Sequence, residues 1–237
     1  MEVRNTERIA ADVYKTVLAG DVSAISNPGQ FVNVKIEGLY LRRPISVCDV
    51  TGNELTLVYK VVGKGTKKFS ASEKGDAFDL LIGLGNGYDL SSSGETPLLI
   101  GGGVGVPPLY YLAKKLVEKG AKPFVALGFN RKEDAFFLGE FEALGAKVAV
   151  ATADGSLGVK GFVTNVLPEA YSYFYACGPE PMLKAVYGAT KTEGEMSFEE
   201  RMGCGFGACM GCTCKTIAGN KRICKDGPVL KKGEILW

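Results

Sequence analysis

Five of the seven cysteines in this 237-residue chain lie between residues 204 and 224. Four of them follow the spacing Cys204-x4-Cys209-x2-Cys212-x11-Cys224, the plant-type pattern of four thiolates around a 2Fe–2S cluster. Glycines and other small residues between them allow the backbone to wrap tightly and to aim its N–H groups at the sulfurs, as a negatively charged cluster requires. The segment therefore predicts an iron–sulfur site with these four cysteines as metal ligands.

Two other interpretations of this segment stay open. Zinc also takes four thiolates, usually from two well-separated cysteine pairs. Disulfides are disfavoured, because loops of two or four residues between neighbouring cysteines strain the bridge geometry. Cys214 is a spare thiol that could replace Cys212 as the third ligand, although the two-residue spacing after Cys209 favours Cys212.

Composition excludes several kinds of chemistry. The chain has no histidine, which rules out histidine-based triads, histidine-ligated zinc and Rieske-type clusters. A net charge of +2, without a basic run, gives no sign of a nucleic-acid partner. No apolar run is long enough for a membrane span, and the polar N-terminus is not a secretory signal, so clustered cysteines indicate the cytoplasm. The 32 glycines favour tight turns that cradle phosphate groups, and cofactors are expected to carry the chemistry.

Residues 1–93 are predicted to form a small antiparallel β-barrel. Segments such as Phe31–Ile36 alternate apolar and polar side chains, and short turns separate them. Within this part, Arg42-Arg43-Pro44-Ile45-Ser46 offers an arginine fork that suits a pyrophosphate, followed by a stiff backbone that presents Ser46. An edge-strand proline beside solvated arginines is the alternative.

A second candidate in the barrel is Val58-Tyr59-Lys60, followed by the turn Gly63–Thr66. The tyrosine could stack on a flat ring, and the glycines could offer N–H groups to a phosphate. A strand that simply ends in a turn is the alternative.

Residues 94–195 are predicted to form a doubly wound parallel α/β domain, which follows the polar linker Ser91–Glu95. Residues 109–117 repeat apolar side chains at helical spacing, and Gly120 ends that helix. Continuous apolar runs indicate strands buried on both faces. These runs are Thr96–Ile100, Phe124–Leu127, Val148–Ala151 and Tyr173–Ala176.

Three turns are expected at the carboxyl ends of these strands, where such sheets bind ligands. The glycine-rich turn Gly101–Gly105 opens a helix and suits a phosphate, although it departs from a strict G-x-G-x-x-G. Asp154 follows the third run, and Cys177-Gly178-Pro179 follows the last. Cys177 is expected to face the pocket, with a buried small hydrophobe as the alternative.

Residues 196–237 should form the iron–sulfur domain. Met196–Met202 is predicted to be a short helix, and Lys221–Leu230 a strand or hairpin that brings Cys224 back to the other ligands. A segment of about 40 residues buries too little surface to be stable alone, so the cluster is expected to supply much of its folding energy.

These motifs together resemble a known family. Arg-Pro-Ile-Ser in a barrel, with Gly-Gly-Gly-Val-Gly opening and Cys-Gly-Pro closing a nucleotide domain, is similar to the ferredoxin–NADP reductase superfamily. The cysteine tail, ending in Cys224-Lys-Asp-Gly-Pro, narrows the resemblance to electron-transfer subunits of class 1B dihydroorotate dehydrogenase, over essentially the whole chain. Cys214 departs from the family pattern, where an apolar residue is expected.

The resemblance implies a flavin and iron–sulfur, NAD-linked oxidoreductase subunit of pyrimidine biosynthesis. Its partner would be an FMN-containing catalytic subunit in a heterotetramer of two of each, from which electrons pass through a 2Fe–2S cluster and FAD to NAD+. Ser46 and Cys177 would be the catalytic candidates beside the reacting rings. The implied cofactor-binding residues are Arg43, Pro44, Ile45, Ser46, Val58, Tyr59, Lys60, Gly65 and Thr66 for FAD, and Gly101, Gly102, Gly103, Gly105, Asp154 and Gly178 for NAD.

Two other functions stay open. Similar subunits serve sulfhydrogenases and electron-bifurcating NADP(H)–ferredoxin transhydrogenases. Asn130-Arg131-Lys132 could engage a 2′-phosphate, although Glu133 and Asp134 follow directly and NAD is favoured. A zinc-stabilised, non-enzymatic nucleotide-binding module is the third interpretation.

Overall fold

The computed structural model describes all 237 residues. The first six strands form one antiparallel sheet in the order β1-β2-β5-β4-β3-β6. Hydrogen bonds between Val3 and both Gly75 and Asp76 join β1 to the segment just before β6, which closes the sheet into the predicted barrel. The elements are β1 (Glu2–Ala10), β2 (Val13–Ala19), β3 (Phe31–Val34), β4 (Arg43–Thr51), β5 (Glu54–Lys60), α1 (Lys64–Ser70) and β6 (Leu80–Leu84).

Strand β3 is buried on both of its faces. Side chains alternate across a strand, so Val32 and Val34 share one face, and both belong to the barrel core. Phe31 and Asn33 share the other face. Phe31 belongs instead to an apolar cluster with Cys212 and Cys224. The barrel therefore packs directly against the C-terminal cysteine segment through β3.

The second sheet has seven strands in the order β10-β9-β8-β7-β11-β12-β15, all parallel except β15 (Val229–Lys231), which comes from the C-terminal segment. The chain leaves β7 toward β8 and later returns to the opposite side of β7 as β11, which creates a topological switch point there. The elements are β7 (Leu98–Gly102), α2 (Val106–Glu118), β8 (Phe124–Phe129), α3 (Leu138–Ala143), β9 (Lys147–Thr152), β10 (Val159–Lys160), β11 (Phe174–Cys177), α4 (Glu180–Ala189) and β12 (Gly194–Ser197).

The predicted doubly wound domain is confirmed in its central strands. The four apolar runs coincide with β7, β8, β9 and β11, and Leu98, Leu99 and Ile100 are fully buried. Helix α2 covers the predicted helical repeat and ends just before Gly120, whose φ of 86° suits glycine. None of the helices is both long and apolar enough to cross a bilayer.

The C-terminal residues form β13 (Thr213–Thr216), β14 (Gly219–Arg222), α5 (Ile223–Asp226) and β15 (Val229–Lys231). The predicted strand or hairpin over Lys221–Leu230 is wrong in position: the hairpin of β13 and β14 precedes most of that segment, and Cys224 lies in the short helix α5. Strand β15 pairs antiparallel with β12, so it completes the edge of the nucleotide-domain sheet. The cysteine segment is therefore continuous with that sheet.

The predicted helix over Met196–Met202 is wrong. Met196 and Ser197 belong to β12, where both are buried between the neighbouring strands β11 and β15, and residues 198–202 are not helical. Pairing on both sides satisfies the backbone of β12 and overrides its local pattern. The predicted domain boundary between residues 195 and 196 consequently falls inside β12.

Replacing Leu230 tests this attachment. Leu230 on β15 is 3% exposed within the apolar cluster, so we expect Leu230→Ala to lower the free energy of unfolding by about 2–5 kcal/mol. Ile217, which is 66% exposed on the hairpin, is the control, and Ile217→Ala should change it by about 0.5 kcal/mol or less. Urea unfolding measures both variants, and equal effects would contradict the role of β15.

Candidate flavin, nicotinamide and iron–sulfur sites

A cleft of about 310 Å³ lies where the barrel meets the switch point of the second sheet. The barrel contributes the Arg-Pro-Ile-Ser strand and the end of β5, and the second sheet contributes the turns after β7 and β11. The structure thus brings together most residues that the sequence assigned to the two nucleotide cofactors. Those lining the cleft are Pro44, Ile45, Ser46, Val58, Tyr59, Lys60, Thr66, Gly102, Gly105, Cys177 and Gly178.

The glycine-rich turn allows the two strand ends to approach each other. A Cβ added at Gly105 would overlap the backbone of Cys177 and Gly178, and one at Gly102 would overlap the sulfur of Met182. Only glycine leaves room at position 105, where the overlap is with backbone. The turn after β7 and the turn after β11 therefore form one continuous wall that a flat or phosphate-bearing ligand can approach closely.

Cys177 and Ser46 stand on opposite walls of this cleft, one at the end of β11 and one on β4. Burial raises the pKa of the Cys177 thiol to about 12, although a hydrogen bond with the Ser197 side chain partly offsets this increase. Cys177 is therefore a neutral thiol at physiological pH. Such a group can donate a weak hydrogen bond or pack against a ring, but it carries no charge.

Arg43 and the first turn of α1 form a cradle beside the cleft: Thr66 lines the cleft itself, whereas Arg43 lines a neighbouring cavity and Gly65 lines neither. The backbone of Gly65 lies directly under the Arg43 side chain, because a Cβ at Gly65 would overlap the guanidinium. The Thr66 hydroxyl accepts hydrogen bonds from the N–H groups of Val62 and Gly63 and so holds the turn in shape. The cradle fits a pyrophosphate, for which an arginine fork and nearby backbone N–H groups are suited.

Arg42 has a different role from its neighbour. It pairs with both carboxylate oxygens of Asp79, at 3.1 and 2.7 Å, and also donates to the backbone carbonyls of Asp79 and Asn33. These contacts hold the barrel strands together. They lower the pKa of the Asp79 carboxyl through the hydrogen bonds from Arg42.

Three predicted flavin-binding residues face the protein interior. The ring of Tyr59 stacks on Phe69 at 4.8 Å, its hydroxyl bonds to Thr16 at 2.9 Å, and the residue is 4% exposed. The hypothesis that this ring stacks on a flat cofactor is therefore wrong, because alternation along β5 turns it into the barrel core. Ile45 and Val58 are buried as well, so these three residues offer mainly backbone to the cleft.

Gly101, Gly103 and Asp154 do not line the cleft. Gly101 and Gly103 belong to the same turn, whereas Asp154 is exposed beyond the end of β9, two strands from β7. The Asp154 carboxylate accepts hydrogen bonds from the side chain and backbone N–H of Ser156, which lower its pKa. Arg131, the candidate for a 2′-phosphate, lies 3.5 Å from Asp134 in an ion pair.

The sequence did not reveal that residues 197–202 cross the cleft. Phe198, Glu199, Glu200 and Met202 line it, as do Phe31 from β3 and Pro228 from the loop before β15. The available signal in the sequence was Phe198, an aromatic residue directly after β12. The incorrect prediction of a helix over Met196–Met202 concealed this signal. The segment that leads to the cysteines therefore forms part of the wall of the cleft.

The cysteines of the C-terminal segment lie in two pairs. Backbone N–H groups of Ala208 and Cys209 donate to the Cys204 sulfur at 3.2 and 3.4 Å, and the Cys204 N–H donates to the Cys209 sulfur at 3.4 Å. The Cys224 N–H donates to the Cys212 sulfur at 3.4 Å. These contacts are the predicted wrapping of backbone N–H groups around sulfur.

The left-handed conformations of Gly205 and Gly207, with φ of 80° and 91°, allow this wrapping. Arg222 holds the loop onto α5, because it donates to the Gly207 carbonyl at 2.9 Å and pairs with Asp226 at 2.9 Å.

The paired arrangement suits a binuclear cluster better than a single ion. A 2Fe–2S cluster takes two protein ligands on each iron, so two pairs of thiols match its donor set. A single zinc ion would need all four sulfurs around one centre.

The thiols of the two pairs differ in acidity. Burial opposes ionisation of Cys204, but hydrogen bonds from the backbone of Cys209, Phe206 and Ala208 bring its pKa down to about 6. Burial, the adjacent Cys212 thiol and the Cys204 charge raise the pKa of Cys224 to about 12. Because metals bind thiolates, loading of the site must release the Cys224 proton.

Cys214 lies apart from these pairs. It lines a second cavity, of about 860 Å³, together with residues such as Arg43, Leu183 and Trp237. Its sulfur takes part in none of the N–H···S hydrogen bonds that surround the other cysteines. This placement favours Cys212 over Cys214 as a ligand.

Comparison with known proteins agrees with this site. The family model for the iron–sulfur cluster binding domain of dihydroorotate dehydrogenase B matches residues 199–236. The dihydroorotate dehydrogenase B (NAD(+)) electron transfer subunit of Lysinibacillus sphaericus (strain C3-41) is 45% identical over 99% of this chain and 97% of its own length. This chain belongs to that family. The subunit of Fusobacterium nucleatum that carries the same name is 42% identical over 98% of the chain and 96% of its own length.

Solved structures share the architecture. An NADH-dependent reduced ferredoxin–NADP oxidoreductase, described in relation to flavin-based electron bifurcation, has a TM-score of 0.90 and 31% identity, and the match covers 100% of this chain and 89% of that one. A cytochrome P450 reductase from Amycolatopsis has a TM-score of 0.68 at 22% identity over 79% of this chain and 63% of that one, which shows the fold alone.

The cysteine assignment can be tested with paired serine variants. We expect Cys212→Ser to lose the cluster and Cys214→Ser to retain it, because the Cys212 sulfur accepts the Cys224 N–H whereas Cys214 lines the second cavity. Iron and sulfide content per chain, together with visible absorbance, measure the outcome. Loss of the cluster in Cys214→Ser and its retention in Cys212→Ser would reverse the assignment.

The two arginines allow a similar test of the cradle. We expect Arg43→Gln to weaken FAD binding by about tenfold or more, because a hydrogen bond to a charged group contributes about 1.5–3 kcal/mol. Arg42→Gln should lower the melting temperature through loss of the Asp79 pair, with a smaller effect on FAD affinity. Fluorescence titration of the flavin-free protein with FAD distinguishes the two. An equal loss of affinity in both would contradict the distinct roles.

Proposed function

We propose that this chain is the electron-transfer subunit of an NAD-linked dihydroorotate dehydrogenase and connects a catalytic partner to NAD+. The observation that carries the proposal is the convergence of three sites on neighbouring strands. The paired cysteines pack on β3, the flavin motif lies on β4, which is hydrogen-bonded to β3, and the glycine turn of β7 faces β4 across the cleft.

When bound, FAD exchanges two electrons with nicotinamide and single electrons with a 2Fe–2S cluster, which connects the two kinds of carrier. Arg43, Gly65 and Thr66 hold the pyrophosphate, while Pro44 and Ser46 face the flavin from β4. Gly102, Gly105 and Gly178 admit NAD to the opposite wall. Cys204, Cys209, Cys212 and Cys224 ligate the iron.

Cys177 and Ser46 act as neutral groups on the cleft walls, beside the flavin and nicotinamide rings. Cys177 remains protonated at physiological pH, since its pKa is raised to about 12 by burial. It can therefore orient a ring without introducing charge where a hydride is exchanged. Gly101, Gly103 and Asp154 act less directly, by shaping the turns at the same edge of the sheet.

The name of the family, electron transfer subunit, implies a second subunit that carries out catalysis. We propose that this partner carries FMN, oxidises dihydroorotate and assembles with the chain as two of each. The chain then supplies no substrate-oxidising residue of its own. Clustered thiols without disulfides suit a reducing compartment, and we assign the complex to the cytoplasm.

The transhydrogenase function is less well supported than dihydroorotate oxidation. The structure with that activity is 31% identical to this chain, whereas the dihydroorotate dehydrogenase subunits reach 45%. Arg131, the candidate for a 2′-phosphate, lies 3.5 Å from Asp134 in an exposed ion pair, and the adjacent negative charges of Glu133 and Asp134 disfavour a further phosphate there. NADH is therefore the expected reductant of the isolated chain.

A pair of assays tests the function. The purified chain should reduce ferricyanide with NADH much faster than with NADPH, because the dye accepts electrons from the flavin. Together with the catalytic partner, wild type should support dihydroorotate:NAD+ activity. Cys212→Ser should lose that activity and keep dye reduction. A chain that binds neither flavin nor iron, or that prefers NADPH, would disprove the proposal.

A further inference from the structure

Asn33 connects the flavin barrel to the cysteine loop. It lies on β3 and is 1% exposed, and its Nδ2 donates to the Cys204 carbonyl at 3.3 Å, across 171 residues of sequence. The next residue, Gly205, approaches so closely that an added Cβ would overlap Nδ2. The contact thus needs both the amide at position 33 and the absence of a side chain at position 205.

The Asn33 side chain has a buried polar atom without a hydrogen-bond partner. Since the Cys204 carbonyl can only accept, Nδ2 must face it, and this orientation leaves Oδ1 buried without a partner. A buried unpartnered acceptor costs about 1–3 kcal/mol, so an apolar residue at this position would be more favourable for stability alone. The amide at position 33 therefore points to a requirement other than packing.

The position of Asn33 indicates that requirement. On β3 it lies directly opposite Pro44 of β4, and Phe31 lies opposite Ser46. Residues opposed in this way place their side chains on the same face, about 5 Å apart. The Arg42 side chain donates to the Asn33 carbonyl at 3.3 Å and fixes its backbone. The Asn33 side chain therefore ties the ligand loop to β3, and the backbone pairing of β3 with β4 connects it to the flavin-facing strand.

We propose that Asn33 is a positioning residue that fixes the distance between the iron–sulfur loop and the flavin-binding strand, and so sets the rate of single-electron exchange between them. The inference rests on the proposed function. In each event one electron leaves one centre and enters the other, with no other reactant. The rate of electron exchange falls steeply with distance, so a loosened loop slows this step and leaves hydride exchange between nicotinamide and flavin unchanged.

Stopped-flow measurements on the full chain, loaded with FAD and cluster, separate the two steps. In Asn33→Leu, flavin reduction by NADH should match wild type, while reduction of the cluster slows by about threefold or more, because the loop that carries Cys204 is no longer held in place against β3. The EPR spectrum and reduction potential of the cluster should also shift, because the loop that ligates it moves. Gly233→Ala, which adds a Cβ with nothing within 4 Å, is the control and should match wild type in every measurement.

A double-mutant cycle isolates the contact. Gly205→Ala alone forces the loop away from Asn33 and strains its own backbone, whose φ is 80°. In the Asn33→Ala background the backbone strain at position 205 remains, but the overlap with the Asn33 side chain is gone. The rate of cluster reduction in the double variant should therefore fall by less than the combined effects of the two single variants. Should Asn33→Leu fail to fold, Asn33→Ser serves in the kinetic and EPR measurements.

Wild-type cluster reduction and EPR in the Asn33 variants, or strictly additive effects in the cycle, would overturn the inference. Equal slowing of flavin reduction by NADH would also overturn it, because Asn33 would then act on the flavin site. A wild-type chain that takes up no flavin or iron would instead disprove the proposed function, and iron and flavin content distinguishes that case.

Discussion

The structure depends on strand β3 being shared by two cores. Val32 and Val34 fill the barrel, while Phe31 joins the apolar cluster that contains Cys212 and Cys224. A four-residue strand with both faces buried cannot shift its register without moving the side chains of each face out of the core in which they pack. Its pairing with β4 then fixes the flavin motif relative to the cysteines. Distances between the redox sites are consequently set by the hydrogen-bond ladder of a sheet, which is far stiffer than a linker.

The features predicted from the sequence were those determined by local pattern or by chemistry at short spacing. The central strands β7, β8, β9 and β11, helix α2, the glycine turn and the cysteine spacing belong to this class. The errors arose where distant partners decide the structure. Strand β12 is short, and only β11 and β15 on either side make it a strand. Tyr59 carries no local signal for the direction of its ring, which the closure of the barrel sets.

The absence of histidine is consistent with a site that works by position instead of proton transfer. The thiol of Cys177 stays neutral because burial raises its pKa, and the hydroxyl of Ser46 is neutral as well. Among the paired cysteines, backbone N–H groups lower the pKa of Cys204, whereas burial raises the pKa of Cys177 and of Cys48 elsewhere in the chain. The lowered thiol pKa therefore lies where metal is expected, while the Cys177 thiol and the Ser46 hydroxyl on the cleft walls stay uncharged.

The cysteine segment differs from an appended domain because the rest of the chain encloses it. Asn86, in the connection between the two larger sheets, exchanges hydrogen bonds with Val229 at 2.8 and 3.2 Å, and its N–H donates to the Gly227 carbonyl at 2.8 Å. This clamp guides the chain into β15, which pairs with β12. Two attachments, one through Asn86 and β15 and one through β3, therefore bracket the ligand loop. Loss of metal would then loosen the loop between two fixed ends, and the sheet itself would keep its strands.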